Sequence, residues 1–577
     1  MGLFENSLLH KSYPALIILG IGAPLLLLLP SIPFQNDHHC DPWYYFGLTY
    51  ILSDAMHWYM WYWQLARLPA VLPGFVATHL LDGILADYAL FFFYYLVSLT
   101  FLYKTVRCML GRLTALLATI FYASQPLILA NYSATYTAPA IVYDIISMYF
   151  IARAITAEDP RQKQLMVLAS GIAFGAAIHA HLFIASFAFA NYVIYAVYEY
   201  LRGRSISAWA MRMVLSGFLA TAGLIITTIV LGAINSVVFN TSFSVIFNQF
   251  GYISSVSIAA KNDYWQSDWY LNGPKVGLFL LAALVAALNL VRTRFVVDAD
   301  DDLRQRRSAI SVGILVLVVT QVLYNQLGGN TMQYDFYYVF LVPYLALILF
   351  SPLPFREEPT AKDYLIITLF LIGSVVATSI RYDVFPWLYQ SPSTEAYASG
   401  IVAILVAFTC AISTFSKWPR TSQTLYVAVL IALAVVIRPE QMGRGVWDGD
   451  DLAYRDTYVR IREGLRFISG LGFATPPKFW INEEQGYEEL VAYPRSYLAC
   501  AVSEFPQLDT SLPLRFIPGD NVIVIAHMDD LANRASQAFA KLGLAVEQTT
   551  HRIIDFNGRS YEMLVEHVIG ETTPQTP

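Results

Sequence analysis

The sequence predicts an all-α polytopic membrane protein of about thirteen transmembrane helices, followed by a small C-terminal α/β domain. Three observations predict it. Of the 577 residues, 56% are hydrophobic and only 14% are charged, whereas about a quarter of a soluble globular chain is charged. The apolar residues gather into runs long enough to cross a bilayer, separated by short polar connections. Residues 438–577 abandon that pattern for short mixed segments typical of a soluble domain. The net charge of -6 is small for this length. With no basic stripe, it gives nucleic-acid binding no support.

The predicted spans are 13–34, 87–103, 113–131, 137–152, 164–181, 183–201, 213–235, 275–291, 309–327, 334–351, 363–380, 399–416 and 421–437. The first run reads as a retained span, because no small-residue cleavage site follows it. The tightest connection is "HAHLF", 179–183. Basic residues orient the chain. The loops near 104–112, 153–163, 202–212 and 292–307 are rich in Lys and Arg, whereas the loops on the other side hold only Arg67, Lys261 and Arg381. Positive charge marks the cytoplasmic side. The N-terminus is therefore cytoplasmic, and residues 35–86 and 236–274 are long outer loops. The membrane part is 1–437 and the outer domain is 438–577. The "HAHLF" turn must be real, because fusing its two spans would invert every later loop.

Within the outer domain, "NVIVIAH" (521–527) and "LAVEQTTHRIIDF" (544–556) read as strands. "DDLANRASQAFAKLG" (529–543) reads as a helix, capped by Asp529 and Asp530 and stopped by Gly543. There is no GxGxxG loop for a dinucleotide. Of the cysteines, Cys40, Cys108, Cys410 and Cys500, none forms a CxxC pair. A Cys40–Cys500 bridge is conceivable outside the membrane, but isolated cysteines are more often free thiols.

The first outer loop opens on "QNDHHCDPWYYFGLTY", 35–50, which puts two carboxylates and two histidines directly after the first span. Asp41 with Pro42 suits a helix start. Asp37, His38, His39 and Asp41 are all metal-ligand types, although adjacent side chains diverge and no distant pair completes a set. A carboxylate at the membrane surface can also deprotonate an acceptor hydroxyl, or hold a divalent cation, Mg or Mn, against a phosphate leaving group. Further on, Trp58, Tyr59, Trp61, Tyr62 and Trp63 suit a segment lying at headgroup level. Arg67 is that loop's only basic residue. Its guanidinium fork matches phosphate oxygens, and a snorkelling arginine is the plain alternative.

Three other stretches carry polar interest. "NTMQYDFYYVFLVP" (330–343) brings Gln333, Tyr334, Tyr337 and Tyr338 to the outer end of a span, as candidate donor-phosphate contacts or simply an aromatic belt. His179 and His181 lie at an outer turn after small residues that allow close helix packing. "NDYWQSDWYLNGP" (262–274) mixes Asp263, Trp265, Asp268 and Trp269, a combination that stacks on sugar CH faces and bonds to hydroxyls. The run "RTRFVVDADDDLRQRR" (292–307) reads as a solvated connector.

"CDPWYYFG" (40–47) and "RLPAVLPG" (67–74), at these places in a long first outer loop, resemble motifs of the GT-C membrane glycosyltransferases. That group includes protein O-mannosyltransferases, oligosaccharyltransferase catalytic subunits and lipid A aminoarabinose transferases. The resemblance implies a GT-C-like helical domain in a bacterial inner membrane, with the outer domain in the periplasm. It implies transfer of a single sugar from a polyprenyl-phosphate donor to an extracytoplasmic glycan, lipid or protein acceptor, with inversion. It makes Asp41 the catalytic carboxylate and Asp37 a base partner or metal ligand. The 330–343 stretch resembles a family segment that faces the donor phosphate, which would place Gln333 and Tyr334–Tyr338 there with Arg67; the residue types themselves suit His38, His39, His179, His181 and the 263–269 stretch to the substrate side. The sequence departs from the family pattern in two ways. The second outer loop, "NYSATYTAP", has no acid, so Asp144 is the nearest substitute, and the WWDYG motif of oligosaccharide transfer is absent. A multi-pass transporter or flippase for lipid-linked or small polar substrates is the alternative. It would place ionisable groups deep within several spans, and few are present.

Overall fold

The computed structural model describes residues 41–81, 85–123, 128, 137–203, 205–252, 273–295, 301–326, 335–352, 451–481, 492–498, 502–505, 515–526, 530–556 and 559–571. Among these, seven helices are long and apolar enough to cross a membrane, by length and composition. They are α3 (Leu85–Leu110), α5 (Thr137–Thr156), α6 (Pro160–Ala180), the segment Leu182–Arg202 ending in α7 (Ala185–Arg202), α8 (Ile206–Val237), and the apolar stretches of α9 (Gly273–Phe295) and α10 (Asp301–Gln326). The described part of the 113–131 span is α4 (Arg112–Ala123). The 334–351 span begins as a 3-10 turn, Asp335–Leu341, before α11 (Val342–Phe350). Pro343 stands in the first turn of α11, where its missing N–H costs no hydrogen bond. Spans 13–34, 363–380, 399–416 and 421–437 lie outside the described residues.

The "HAHLF" segment does break into two helices. His181 takes an extended backbone, φ -157° and ψ 110°, between α6 and the 3-10 turn Leu182–Ile184. Small residues bring α6 and α8 together. A Cβ on Gly171 would run into the Ala220 backbone, and one on Gly223 into that of Leu168. The 292–307 run is not merely solvated. α10 starts inside it, Arg306 donates to the Cys108 carbonyl at 2.8 Å, and Tyr198 donates to Asp302 at 2.7 Å.

The C-terminal part is a five-stranded sheet of order β2-β1-β3-β5-β4. Its strands are β1 (Lys478–Ile481), β2 (Val502–Glu504), β3 (Asn521–Ala526), β4 (Leu544–Phe556) and β5 (Arg559–Glu571). β1 pairs parallel with β2 and β3, and β5 pairs antiparallel with β3 and β4. The helix predicted at 529–543 is present as α14 (Leu531–Lys541). Its capping differs, since Asp530 adopts φ 59° and its side chain caps no N–H. Strand alternation divides the sheet residues between two cores. Trp480, Val524 and Leu564 pack under Phe539 of α14. Phe479, Ile523, Ile525, Met563 and Val565 pack on the other face, against Ile461, Leu465 and Ile468 of α12 (Asp451–Gly470).

That second core also contains the first outer loop. Its α1 (Asp41–Trp58) contributes Tyr45, Phe46, Leu48, Ile51, Leu52, Ala55 and Met56, and α2 (Leu68–Leu80) contributes Leu68 and Val71. The short helix α13 (Ala492–Ser496) presses on α1 where Gly47 allows it, because a Cβ there would meet the Ser496 backbone. Trp58 Nε1 donates to the Ala474 carbonyl at 3.2 Å. The outer loop and the C-terminal sheet therefore fold as one apolar body.

One carboxylate is out of place in this body. Glu566 is buried on the face of β5 shared by Leu564 and Val568, and its Oε2 has no hydrogen-bond partner among the described residues. Burial pushes its pKa from 4.5 up to about 7. The folded chain thus holds a proton that the unfolded chain releases between those values, so stability falls as pH rises across that window. We expect the apparent melting temperature of the purified chain to decline from pH 5 to pH 7.5. Glu566→Gln should remove that component of the slope, read by fluorescence-monitored unfolding across a pH series.

Candidate functional site

The site is built around Arg67. A 3-10 turn, Trp63–Ala66, leads directly into α2, and Arg67 occupies the junction. Its N–H donates to the Gln64 carbonyl at 3.1 Å, and its own carbonyl accepts from Ala70 and Val71. Pro69 fits the first turn of α2, where no N–H is needed. Backbone bonds on both sides therefore fix the residue. The side chain is 4% exposed. Nη1 donates to the Tyr45 hydroxyl at 2.6 Å, and the guanidinium carbon lies 4.4 Å from the Trp63 ring centroid. A guanidinium keeps its charge in such a setting and gains from the aromatic face.

Tyr45 follows Asp41 by four residues on α1, one helical turn or about 6 Å of rise, so the two positions share a face. Asp41 is the first described residue of this helix, so the helix start that the Asp-Pro pair predicts lies at the edge of the described residues. The Asp41 carboxylate itself, Asp37, His38 and His39 lie outside the described residues.

The described start of the second long outer loop, 236–252, is laid over the first. Tyr252 stacks on Trp63, with centroids 4.3 Å apart and planes 9° apart, and Asn248 Nδ2 donates to the Met60 carbonyl at 2.6 Å. Gln249 Nε2 donates to Nδ1 of His179 at 3.2 Å, which leaves Nε2–H of that ring to donate to Thr228 at 3.0 Å. His179 is therefore a neutral strut between α6, α8 and the loop. His181 is buried against Phe183 and Phe340, with ring centroids 5.6 and 5.3 Å away, and within electrostatic reach of Arg67. Phe340 belongs to the 3-10 turn Asp335–Leu341, so three of the predicted stretches converge around Arg67. Tyr338 of that turn faces the helix core, 5.5 Å from Phe279. The side chain of Tyr337, together with Gln333, Tyr334, Asp263, Trp265, Asp268 and Trp269, lies outside the described residues.

Asp144, the acid nearest to the place of the missing loop carboxylate, lies inside the helix bundle. It is fully buried in α5, accepting from Asn191 at 2.9 Å and from Tyr344 at 3.0 Å, and so ties α5, α7 and α11 together. Among the described residues, no group of three or more His, Cys, Asp or Glu could hold a metal ion. The sequence does not single out Tyr45, because an aromatic run gives no sign of which hydroxyl will meet a cation. Nor does it single out Tyr252 and Gln249, which precede the acidic-aromatic stretch that marks their loop.

Helices that span a membrane, two outer-loop helices and a small sheet domain packed on them together define a GT-C-like membrane fold. That fold is found over nearly the whole chain in ArnT from Cupriavidus metallidurans. The crystal structure of that protein bound to undecaprenyl phosphate aligns with a TM-score of 0.50 at 15% identity, covering 98% of this chain and 100% of that one. Its apo structure aligns over 97% and 99%, with a TM-score of 0.46 and 15% identity. No protein-family model and no curated protein sequence matches the chain.

The Tyr45–Arg67 bond gives a direct test of this local geometry. Tyr45→Phe removes the only acceptor oxygen on that ring and takes a hydrogen bond from a charged donor in an apolar setting. We expect a loss of about 1–3 kcal/mol of stability, seen as a lower apparent melting temperature. Adding Arg67→Lys to the Tyr45→Phe variant should not restore it.

Proposed function

We propose that the chain is a polyprenyl-phosphate-dependent glycosyltransferase of the GT-C type. It would transfer a single hexosyl or pentosyl group to an extracytoplasmic acceptor glycan, lipid or protein. The supporting observation is the buried Arg67 guanidinium, held one helical turn from the Asp41 position, in a chain with the fold of a protein crystallised with undecaprenyl phosphate. A phosphate on a lipid tail brings its negative charge to the membrane surface, where a cation already desolvated and oriented has little further reorganisation to undergo.

In this mechanism Asp41 takes the proton from the acceptor hydroxyl. The acceptor oxygen attacks the anomeric carbon from the face opposite the phosphate. The bond from that carbon to the phosphate oxygen breaks, and its electron pair leaves with the polyprenyl phosphate, inverting the sugar. Arg67 holds the departing phosphate, whose oxygens take over N–H groups of the guanidinium. Asp37 serves as a base partner, or joins Asp41 in holding a Mg or Mn ion that would offset phosphate charge. His38, His39 and the stretch carrying Asp263, Trp265, Asp268 and Trp269 would line the acceptor side. Gln333, Tyr334 and Tyr337 would sit toward the donor. The protein would be an inner-membrane protein with this face in the periplasm, a placement supported by the Lys and Arg bias of its loops.

Two variants test the assignment in membranes supplied with lipid-linked sugar donor. Asp41→Asn should lose about 10²–10⁴-fold in transfer while still binding undecaprenyl phosphate, and full activity in that variant would remove Asp41 from the chemistry. Arg67→Ala should chiefly weaken binding of undecaprenyl phosphate, measured by quenching of intrinsic fluorescence. Unchanged affinity would take the arginine out of the site.

A further inference from the structure

A second buried cation, Arg462, packs on the same helix as the first and is not used by the chemistry above. It lies on α12, in the C-terminal part of the chain, with 3% exposure. It pairs with Asp87 in the first turn of α3. Its guanidinium carbon is 5.5 Å from the centroid of Phe46, and Tyr50 lies beside it. Phe46 and Tyr50 belong to α1. One side chain therefore joins three elements from distant parts of the sequence: the C-terminal domain, the outer-loop helix and a membrane-spanning helix.

Apolar packing of α1 is non-directional and tolerates a small slide or rotation. A buried ion pair does not, because a charge displaced from its partner is left desolvated. Phe46 is adjacent to Tyr45, the residue that bonds Arg67. The same helix carries Asp41. We propose that Arg462 is a positioning residue for the lipid-phosphate site: paired with Asp87 across α1, it fixes the helix that carries Asp41 and Tyr45 relative to the spanning helices. The inference rests on the reading of Arg67 above. It adds that the C-terminal domain completes the site rather than merely accompanying it.

The test uses the full-length chain in nanodiscs and two measurements. Binding of undecaprenyl phosphate reads the site. Docking is read by cross-linking of Trp58→Cys with Ala474→Cys through a short bis-maleimide, since the Trp58 indole reaches the Ala474 carbonyl in the folded chain. Arg462→Ala and Asp87→Asn should each weaken lipid-phosphate binding about tenfold and slow cross-linking. Arg462→Lys should keep most of both. The exchange of Arg462→Asp with Asp87→Arg should recover binding that either change alone loses. The proposal is overturned if Arg462→Ala, or Asp87→Asn where the former aggregates, binds and cross-links like the parent. It is also overturned if the deficit responds neither to lysine nor to the exchange, which would mean that only packing was lost. A parent chain that does not bind undecaprenyl phosphate overturns the reading of Arg67 instead, and the cross-linking rate then still decides whether Arg462 fixes α1.

Discussion

The structure depends on how α1 is buried. A helix that begins an outer loop could lie on the membrane with one face in water. Here its apolar face is shared with the C-terminal sheet, so Ile51, Leu52 and Met56 pack in the same core as Ile523, Ile525 and Met563. Each such side chain contributes roughly 1.5–3 kcal/mol when withdrawn from water. Neither partner could make that core alone, because the sheet face built on Phe479 and Val565 would be left exposed. The association follows from the period-2 alternation of the strands, which gives β1, β3 and β5 two apolar faces where α14 covers only one.

Once α1 is held, the polar groups near it are held in a medium of low effective dielectric. A guanidinium in that setting attracts an anion far more strongly than one at an exposed surface. Its orientation is set beforehand by Trp63 and Tyr45. The stack of Tyr252 on Trp63 and the strut from Gln249 through His179 to Thr228 extend the same rigidity into the second long outer loop and the ends of α6 and α8. Rigid support of this kind is what a site needs if a substrate arriving in the bilayer is to meet it without reorganisation.

Much of this was legible in the sequence, and the remainder was hidden for identifiable reasons. Apolar run length and the sidedness of Lys and Arg revealed the helical architecture, including the break at His181, because bilayer thickness and charge act on local stretches of chain. The aromatic run after Asp41 could be read as helical. Arg67 stood out because it is the lone cation of its loop. Pairings between distant segments left no local trace. Nothing near Asp87 announces Arg462, and nothing near Trp63 announces Tyr252. Parts of the sheet were harder still. β1 and β2 are only four and three residues long, too short for alternation to show, although Asn557-Gly558 after β4 is a hairpin signal that would have pointed to β5. The hydrogen bonds by which Asn191 and Tyr344 tie Asp144 into the helix bundle left no local trace either.

Two arginines lean on consecutive residues of one helix. Arg462 faces a carboxylate, Asp87, and the value of that pair is geometric. Arg67 meets the Tyr45 hydroxyl and the Trp63 ring, which orient the plane of its guanidinium. Tyr45 and Phe46 ride together on α1, so a shift of that helix that strains the Arg462–Asp87 pair also moves the hydroxyl that bonds Arg67.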